Sequence, residues 1–331
     1  MEIDPQLWIG LGRYLGAGLA LGLGGIGAAI GMGMAAGNAN EGIMRQPQTQ
    51  SYMLRTMLIG QAVGGSPSIF ALVIGLLILF YTPAGEPTTI AASFIGAGIS
   101  IGFGCFGSGL GCGWPAGLGC NGVARNPRRT TSVSSSMIIG QAVAQSPSIF
   151  ATVIALIMLF LRMPGEGWVA FGICVGGGLA MGASALGPGI GSGTTAGGAV
   201  DGVSRWPLNQ ANTLRTMLIG QAVCQTPAIF GMLVAFIMIF AMSDLTTITE
   251  PAQAVLAFAM TLGAGVSVGF GGIGPGIGSG FAGDSACLVT AMRPRLDTLI
   301  LRTMLIGQAV SQSTAIYSLI ISLLLLFVLT V

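Results

Sequence analysis

One polar motif occurs four times along this chain of 331 residues. The motif Gly-Gln-Ala-Val begins at Gly60, Gly140, Gly220 and Gly307. Successive copies are 80, 80 and 87 residues apart. A hydroxyl side chain follows three residues after each copy, at Ser66, Ser146, Thr226 and Ser313. Amides and hydroxyls donate and accept hydrogen bonds but do not release protons at accessible pH. The chemistry of this motif is therefore hydrogen bonding.

Two further positions in each copy carry the functional argument. The residue just before each hydroxyl varies, being Gly65, Gln145, Gln225 and Gln312. A glutamine also lies one helical turn earlier, at Gln61, Gln141, Gln221 and Gln308. We expect this second set to form interhelical hydrogen bonds. Proline directly follows the hydroxyl in three copies, at Pro67, Pro147 and Pro227, and is expected to bend those helices.

The remaining residue types exclude several kinds of active site. The chain contains no histidine, and its ten acidic residues are expected to lie near span ends or in loops. Neither a catalytic triad nor a carboxylate pair is then predicted at membrane depth. The six cysteines lack the paired spacing of a metal site. We therefore predict no enzyme activity, no metal, no cofactor and no nucleic-acid partner.

The composition is that of a membrane protein. Only 7% of the residues are charged and 53% are apolar, whereas soluble domains are about a quarter charged. Each repeat contains two apolar stretches longer than the ~20 residues that cross a bilayer. In lipid these stretches must be helices, because their backbone groups have no water to bind. The sequence therefore predicts an all-α membrane protein with eight transmembrane helices.

The repeats divide the chain into four helical hairpins, with predicted boundaries 1–83, 84–163, 164–244 and 245–331. The first helix of each hairpin is rich in glycine, which allows close approach of neighbouring helices. The second is rich in larger apolar residues, as suits a lipid-facing layer. We expect the hairpins to lie side by side as an arc of a two-layered ring.

These features together resemble the proteolipid c subunit of F-type rotary ATP synthases, repeated four times. The shared features are a glycine-rich helix, an Arg-x-Pro loop and a second helix with the Gly-Gln-Ala-Val motif. The loop motif occurs as Arg45 with Pro47, Arg125 with Pro127, and Arg205 with Pro207. The fourth copy departs from it with Met292-Arg293-Pro294.

The resemblance implies an ion site that this chain has lost. In c subunits a membrane-buried Glu or Asp on the second helix binds H⁺ or Na⁺. The aligned positions here are Gly65 and the glutamines at 145, 225 and 312. Glutamine cannot release a proton, and it cannot neutralise a cation. Sodium-type members also supply a first-helix glutamine, and the matching positions here are Met32, Cys112, Ser192 and Ser279.

Three functional hypotheses follow from these residues. The first is a structural ring protein that does not translocate ions. The second is a true H⁺ or Na⁺ rotor subunit that shares its ring with carboxylate-bearing c subunits. The third is a membrane pore or scaffold unrelated to an ATPase.

The partners and the membrane follow from the same resemblance. We expect copies of the chain to close into a ring with lipid in its lumen. The stalk, stator and c subunits of an ATP synthase are further candidate partners. Ten of the twelve arginines lie in or beside the intra-hairpin loops, which places those loops on the cytoplasmic-equivalent side of an energy-transducing membrane.

Overall fold

The computed structural model describes residues 4–81, 83–161, 163–242 and 250–327. Within these ranges eight helical segments are long and apolar enough to cross a membrane, in agreement with the sequence prediction. They pair into four hairpins, numbered 1 to 4 along the chain. The predicted boundary at 244/245 lies outside the described residues, and the other two boundaries stay predictions.

The first helix of each hairpin forms the inner layer. The inner helices are α1 (Pro5–Arg45), α4 (Pro87–Arg125) and α7 (Gly167–Arg205), followed by the pair α10 (Pro251–Gly271) and α11 (Ile273–Met292). Each inner helix packs along its neighbour in chain order, α1 on α4, α4 on α7, and α7 on α10 and α11.

Glycine makes this inner layer close-packed. A Cβ atom added at Gly27 or Gly31 of α1 would overlap backbone atoms of α4. The same holds for Gly111 of α4 against α7 and for Gly191 of α7 against α11. Without side chains at these positions the backbones come into direct contact, which is how helices associate in lipid.

The second helix of hairpins 1 to 3 is interrupted near its middle. These outer helices are α2 (Gln50–Gly64) with α3 (Ser66–Phe80), α5 (Thr130–Ala144) with α6 (Ser146–Phe160), and α8 (Gln210–Cys224) with α9 (Thr226–Phe236). The segment Ile237–Ala241 continues α9 as a π-helix. Hairpin 4 differs, because its outer helix α12 (Asp297–Phe327) is continuous.

A short 3₁₀ turn joins the two helices of every hairpin. It begins at Pro47, Pro127, Pro207 or Pro294. Proline suits this first position because its ring fixes φ and its missing N–H would have no helical partner there. The loop prolines of the motif therefore set the turn that returns the chain across the membrane.

Large apolar side chains fill the space between the two layers. Ile74, Phe94, Ile101, Ile154 and Met158 belong to one continuous buried cluster. The opposite face of the outer helices leaves Ile69, Leu76 and Phe80 exposed, among others. An apolar exposed band on spans of this length faces lipid. The chain is a multi-pass integral membrane protein.

An aromatic contact links the inner helices of hairpins 1 and 3 at the end away from the loops. Trp8 of hairpin 1 contacts Phe171 of hairpin 3, with ring centroids 5.9 Å apart. Hairpin 2 lies between these two hairpins in the packing order. This contact therefore joins two hairpins that are not neighbours in the packing order.

Candidate ion-binding positions between adjacent hairpins

Gln145 fills the interface between hairpins 1 and 2. Its Nε2 donates a 2.7 Å hydrogen bond to the carbonyl oxygen of Val63, and its Oε1 accepts a 2.9 Å bond from Ser66 Oγ. Both partners belong to the preceding hairpin. We call the place where such a side chain meets the valine carbonyl of the preceding hairpin an inter-hairpin site. At this site one carboxamide supplies both a donor and an acceptor.

The next two interfaces repeat the bond from the amide N–H to the valine carbonyl, and no bond from the preceding hydroxyl is found there among the described residues. Gln225 Nε2 donates to the Val143 carbonyl at 2.8 Å, and Gln312 Nε2 donates to the Val223 carbonyl at 3.1 Å. Gln312 Nε2 also donates to Ser279 Oγ on its own inner helix at 2.9 Å. All three amides thus bind a backbone carbonyl of the hairpin before them.

Proline explains why those carbonyls are free to accept. Pro67 has no amide hydrogen, so the Val63 carbonyl four residues earlier has no helical donor. Pro147 and Pro227 have the same relation to Val143 and Val223. The predicted bend is therefore also a change in hydrogen bonding, since each freed carbonyl binds an amide of the next hairpin.

A second glutamine lies one turn away and joins three helices. Gln141 Nε2 donates to the Gly60 carbonyl of hairpin 1 at 2.9 Å and to the Cys112 carbonyl of its own inner helix at 3.0 Å. Gln221 and Gln308 make the equivalent pairs of bonds. The Oε1 atoms of these three side chains meet no donor in the described part of the chain.

Hairpin 1 is built differently at the same level. Gly65 has no side chain, and a Cβ atom there would lie 3.3 Å from the sulfur of Met32. Among the described residues, Gln61 Nε2 donates only to the Met32 carbonyl, at 3.1 Å. Methionine therefore occupies the volume that a glutamine side chain takes in the other hairpins, where the first-helix residues Cys112, Ser192 and Ser279 are smaller.

The hydroxyl side chains do not all act alike. Ser66, Thr226 and Ser313 each lie within 2.9 Å of the carbonyl three residues earlier in their own helix. Ser66 is also within hydrogen-bond distance of the glutamine of the following hairpin. Ser146 holds the equivalent position, half-buried at the start of α6.

The loop arginines pair with acidic residues at the ends of the inner helices. Arg125 of hairpin 2 and Arg205 of hairpin 3 both contact the carboxylate of Asp201, at 2.7 Å and 3.0 Å. Arg45 makes a longer, exposed contact of 3.5 Å with Glu41. Asp201 thus joins two hairpins at the loop face, in a partly exposed setting where such pairs add little stability.

One acidic residue corrects the sequence prediction. Asp284 lies inside α11, eight residues before its end at Met292, and is half-buried rather than at a span end. It packs against Gly198 of α7. Ser279, which marks the level of the inter-hairpin site on α11, is five residues away, or about 7 Å along the helix axis. Asp284 is therefore displaced toward the loop from the three glutamine positions.

The chemistry available at these positions is hydrogen bonding between neutral groups. The hydrogen bonds described above join Gln145, Gln225 and Gln312 to backbone carbonyls and hydroxyls. No cluster of metal-ligating residues is found in the described ranges. The fold and these sites together define a membrane proteolipid of tandem helical hairpins.

Comparison with known sequences identifies the family. The sequence model of the ATP synthase C subunit matches all four hairpins, at residues 15–78, 95–158, 175–238 and 262–325. The chain belongs to the ATP synthase C subunit family. It is a tandem form of a rotary ATPase c-ring proteolipid, a class of non-catalytic membrane rotor subunits whose members form rings.

Three relatives illustrate the similarity. The ATP synthase c subunit of Natranaerobius thermophilus is 49% identical over 81 residues, which covers 24% of this chain and 93% of that protein. The ATP synthase c subunit of Alkaliphilus oremlandii is 51% identical over 69 residues, or 21% of this chain and 77% of that protein. The A-type ATP synthase K subunit of Methanocaldococcus jannaschii is 28% identical over 235 residues, covering 71% of this chain and 97% of that protein.

Proposed function

We propose that this chain is a structural arc of a c-type ring and does not translocate ions. The supporting observation is the carboxamide at each of the three inter-hairpin sites inside the chain. The amide N–H of Gln145 donates to the carbonyl oxygen of Val63. A carboxylate at this position would need a bound proton or cation between its own oxygen and that carbonyl oxygen. The site is thus filled by a neutral group that has nothing to release.

The physical consequence concerns coupling to membrane potential. Moving one charge across a membrane is worth about 2.3 kcal/mol per 100 mV, and a neutral amide moves none. Passage of these hairpins beside a stator would therefore yield no ion exchange and no torque. The chain serves as a spacer in the ring, and the Arg-bearing loops face the cytoplasmic-equivalent side.

Carbodiimide labelling tests this proposal, because the reagent reacts with protonated buried carboxyls. Asp284 is the carboxyl to control for, so wild type and Asp284→Asn are compared in native membranes. We expect no label in the Asp284→Asn chain, and we expect any label on wild-type Asp284 to be insensitive to sodium ions. Labelling of wild-type Asp284 that sodium ions suppress would overturn the proposal, because it would reveal an exchanging ion site at a new position.

A second candidate is a rotor protein whose ring also contains carboxylate-bearing c subunits. The observation that favours it is the outer helix of hairpin 4, where the hydroxyls of Ser313, Thr314 and Tyr317 lie on a continuous helix and are half-buried or exposed. A neighbouring hairpin with a carboxylate would find the exposed hydroxyl of Tyr317 there. The hydroxyls of Ser313 and Thr314 would have to give up their bonds to the carbonyls of Val310 and Ser311. Co-purification of single-hairpin c subunits with this chain distinguishes this candidate from the first.

A further inference from the structure

A groove lies between the outer helices of hairpins 1 and 2, near the loops. Its volume is about 340 Å³, which is within the range of small-molecule sites. Residues 52–59 of α2 form one wall, and residues 130–138 of α5 form the other. Both stretches belong to the first turns after the hairpin loop. The groove is therefore on the outer surface, at the depth of the membrane interface.

The groove carries positive charge that no carboxylate balances. Arg55 of α2 is exposed, and it forms no ion pair with any residue that the structure describes. No acidic residue is among the described residues that line the groove. Arg129 directly precedes α5 and is also exposed. An arginine guanidinium binds phosphate oxygens through two parallel N–H bonds, so the groove suits an anion of this kind.

Hydroxyl groups on α5 complete the polar wall. Thr131 is exposed in the first turn of the helix, and its hydroxyl has no hydrogen-bond partner within the described ranges. Negative charge is favoured beside the first turn of a helix. Ser134 follows about one turn later, with its Oγ 3.5 Å from Thr56 Oγ1. Arg55 and Thr131 are thus two donor groups without partners that line one cavity.

The other two grooves inside the chain differ at the aligned positions. Between hairpins 3 and 4 the arginine is Arg215, and it contacts Asp297 at 3.5 Å. Between hairpins 2 and 3 Ser135 replaces the arginine, and its hydroxyl accepts a 3.3 Å bond from Gln210. Hairpin 2 has Thr130 where hairpin 3 has Gln210 and hairpin 4 has Asp297. The chain therefore supplies a polar partner in two grooves and leaves the arginine of the first groove without one.

The groove becomes apolar toward the membrane centre. Ile59 and Ile138 line this deeper end. Ile59 is four residues beyond Arg55, or about 6 Å along the helix axis. Tyr52 lies nearer the loop and is 52% exposed, as is typical of aromatic side chains at a membrane interface. Charge near the loop with apolar surface beside it matches a phospholipid, whose phosphate lies at the interface and whose acyl chains run deeper.

We propose that this groove binds the phosphodiester of an anionic phospholipid. Arg55 donates to the phosphate oxygens, Thr131 adds a hydroxyl bond, and an acyl chain lies along Ile59 and Ile138. Basic pockets between transmembrane helices hold anionic lipid headgroups in this way. The lipid bridges hairpins 1 and 2, as side chains bridge the hairpins in the other two grooves. The site lies within one chain, so it does not depend on whether the chain translocates ions.

Native mass spectrometry of the purified, delipidated protein tests the site. The protein is titrated in neutral detergent with phosphatidylglycerol, or with phosphatidylcholine, whose amine compensates the phosphate charge. Arg55→Gln removes the guanidinium, and Arg215→Gln is the matched control, because that arginine already contacts Asp297. We expect Arg55→Gln to bind phosphatidylglycerol about tenfold more weakly than wild type. Arg215→Gln should bind it as wild type does, and phosphatidylcholine should bind all three proteins equally weakly.

A second pair of variants leaves the arginine in place. Thr130→Asp puts a carboxylate where hairpin 4 has Asp297, so Arg55 gains a partner within the chain. Thr130→Asn is the neutral control of similar size. We expect Thr130→Asp to lose the tight binding of phosphatidylglycerol and Thr130→Asn to retain it. Equal binding by these two variants would overturn the proposal, as would equal losses in Arg55→Gln and Arg215→Gln.

Inorganic phosphate distinguishes a lipid from a soluble anion. We expect it not to displace phosphatidylglycerol even in large excess, because it has no acyl chain to fill the apolar end of the groove. Displacement would assign the groove to a soluble anion and overturn the lipid proposal. Each of these failures leaves the ion-site proposal intact, because carbodiimide labelling measures that separately.

Discussion

At the scale of single residues, the carboxamides explain how neutral groups join neighbouring hairpins at the inter-hairpin sites. Glutamine has nearly the shape of a protonated carboxyl, but its N–H donates a hydrogen bond and releases no proton. Gln145 shows this most fully, since both of its polar atoms have partners on hairpin 1. The site is satisfied internally and stays neutral at every accessible pH.

Gln145→Glu should therefore restore a titratable carboxyl. The Val63 carbonyl and Ser66 Oγ already face that position, at 2.7 Å and 2.9 Å from the present amide. We expect carbodiimide to label Glu at 145, faster as the pH falls, because the reagent needs the protonated form. Peptide mapping locates the label in an Asp284→Asn background. An unlabelled variant would show that the site is closed to the reagent or that the position is misassigned.

The second glutamine layer should matter for stability. Gln141→Leu removes bonds to the Gly60 and Cys112 carbonyls, whereas Gln61→Leu removes a single bond to Met32. Interhelical hydrogen bonds in membranes are worth about 1 kcal/mol each. We expect Gln141→Leu to lower the free energy of unfolding by about 2 kcal/mol and Gln61→Leu by roughly half as much. Unfolding of solubilised single chains in SDS compares them, and equal losses would contradict the three-helix role.

At the scale of elements, proline and glutamine on neighbouring helices form a functional pair. Pro147→Ala should restore the helical donor to the Val143 carbonyl, which Gln225 Nε2 now uses at 2.8 Å. We expect Gln225→Leu to lower the free energy of unfolding when residue 147 is proline. The same substitution should change it little in the Pro147→Ala background. A double-mutant cycle of unfolding free energies measures this coupling. Additive effects, within about 0.3 kcal/mol, would show that the two residues act independently.

Inner-helix glycines should divide into two groups. Gly31→Ala places a Cβ against the backbone of α4, while Gly33→Ala meets open space in a single chain. Overpacking costs about 1–3 kcal/mol, whereas alanine in an open helix position is favoured by up to ~1 kcal/mol. We expect Gly31→Ala to destabilise detergent-solubilised single chains and Gly33→Ala to leave them unchanged or more stable. Unfolding in SDS gives the comparison, and similar losses for both would contradict the packing.

At the scale of the whole molecule, fusion of four hairpins restricts the size of any ring. A ring made only of this chain must contain a multiple of four hairpins and have a protein mass that is a multiple of 33.3 kDa. Native mass spectrometry of gently extracted complexes measures this. A mass increment equal to a single hairpin would instead reveal c subunits in the same ring and support the second candidate function.

Fusion also changes where such a ring is weakest. Three of every four interfaces join hairpins of the same chain, so they cannot be lost by dissociation. The fourth joins separate chains, and there hairpin 1 has Gly65 in place of a glutamine. Dissociation should therefore release whole chains.

The sequence by itself determined the class, the number of spans and the repeat positions. Apolar stretches longer than a bilayer leave helices as the one available structure. A proline begins the turn in every hairpin loop. The sequence also located the glutamines at 145, 225 and 312 and their neighbouring hydroxyls. These features are local, so they can be recognised from residues that are close together in the chain.

Only the tertiary structure decided what those glutamines bind. Their partners lie about eighty residues away on the preceding hairpin, so the link between Pro67 and Gln145 is absent from any local pattern. The same is true of Met32, whose sulfur lies 3.3 Å from a Cβ atom built at Gly65. These two residues are on different helices, so their contact appears only when the helices are packed together. Asp284 was expected near a span end, but the helix that contains it continues for eight more residues to Met292. Side-chain contacts between hairpins depend on the register of neighbouring helices and on the distance between them. The glycines of the inner helices set that distance, because they let the backbones touch.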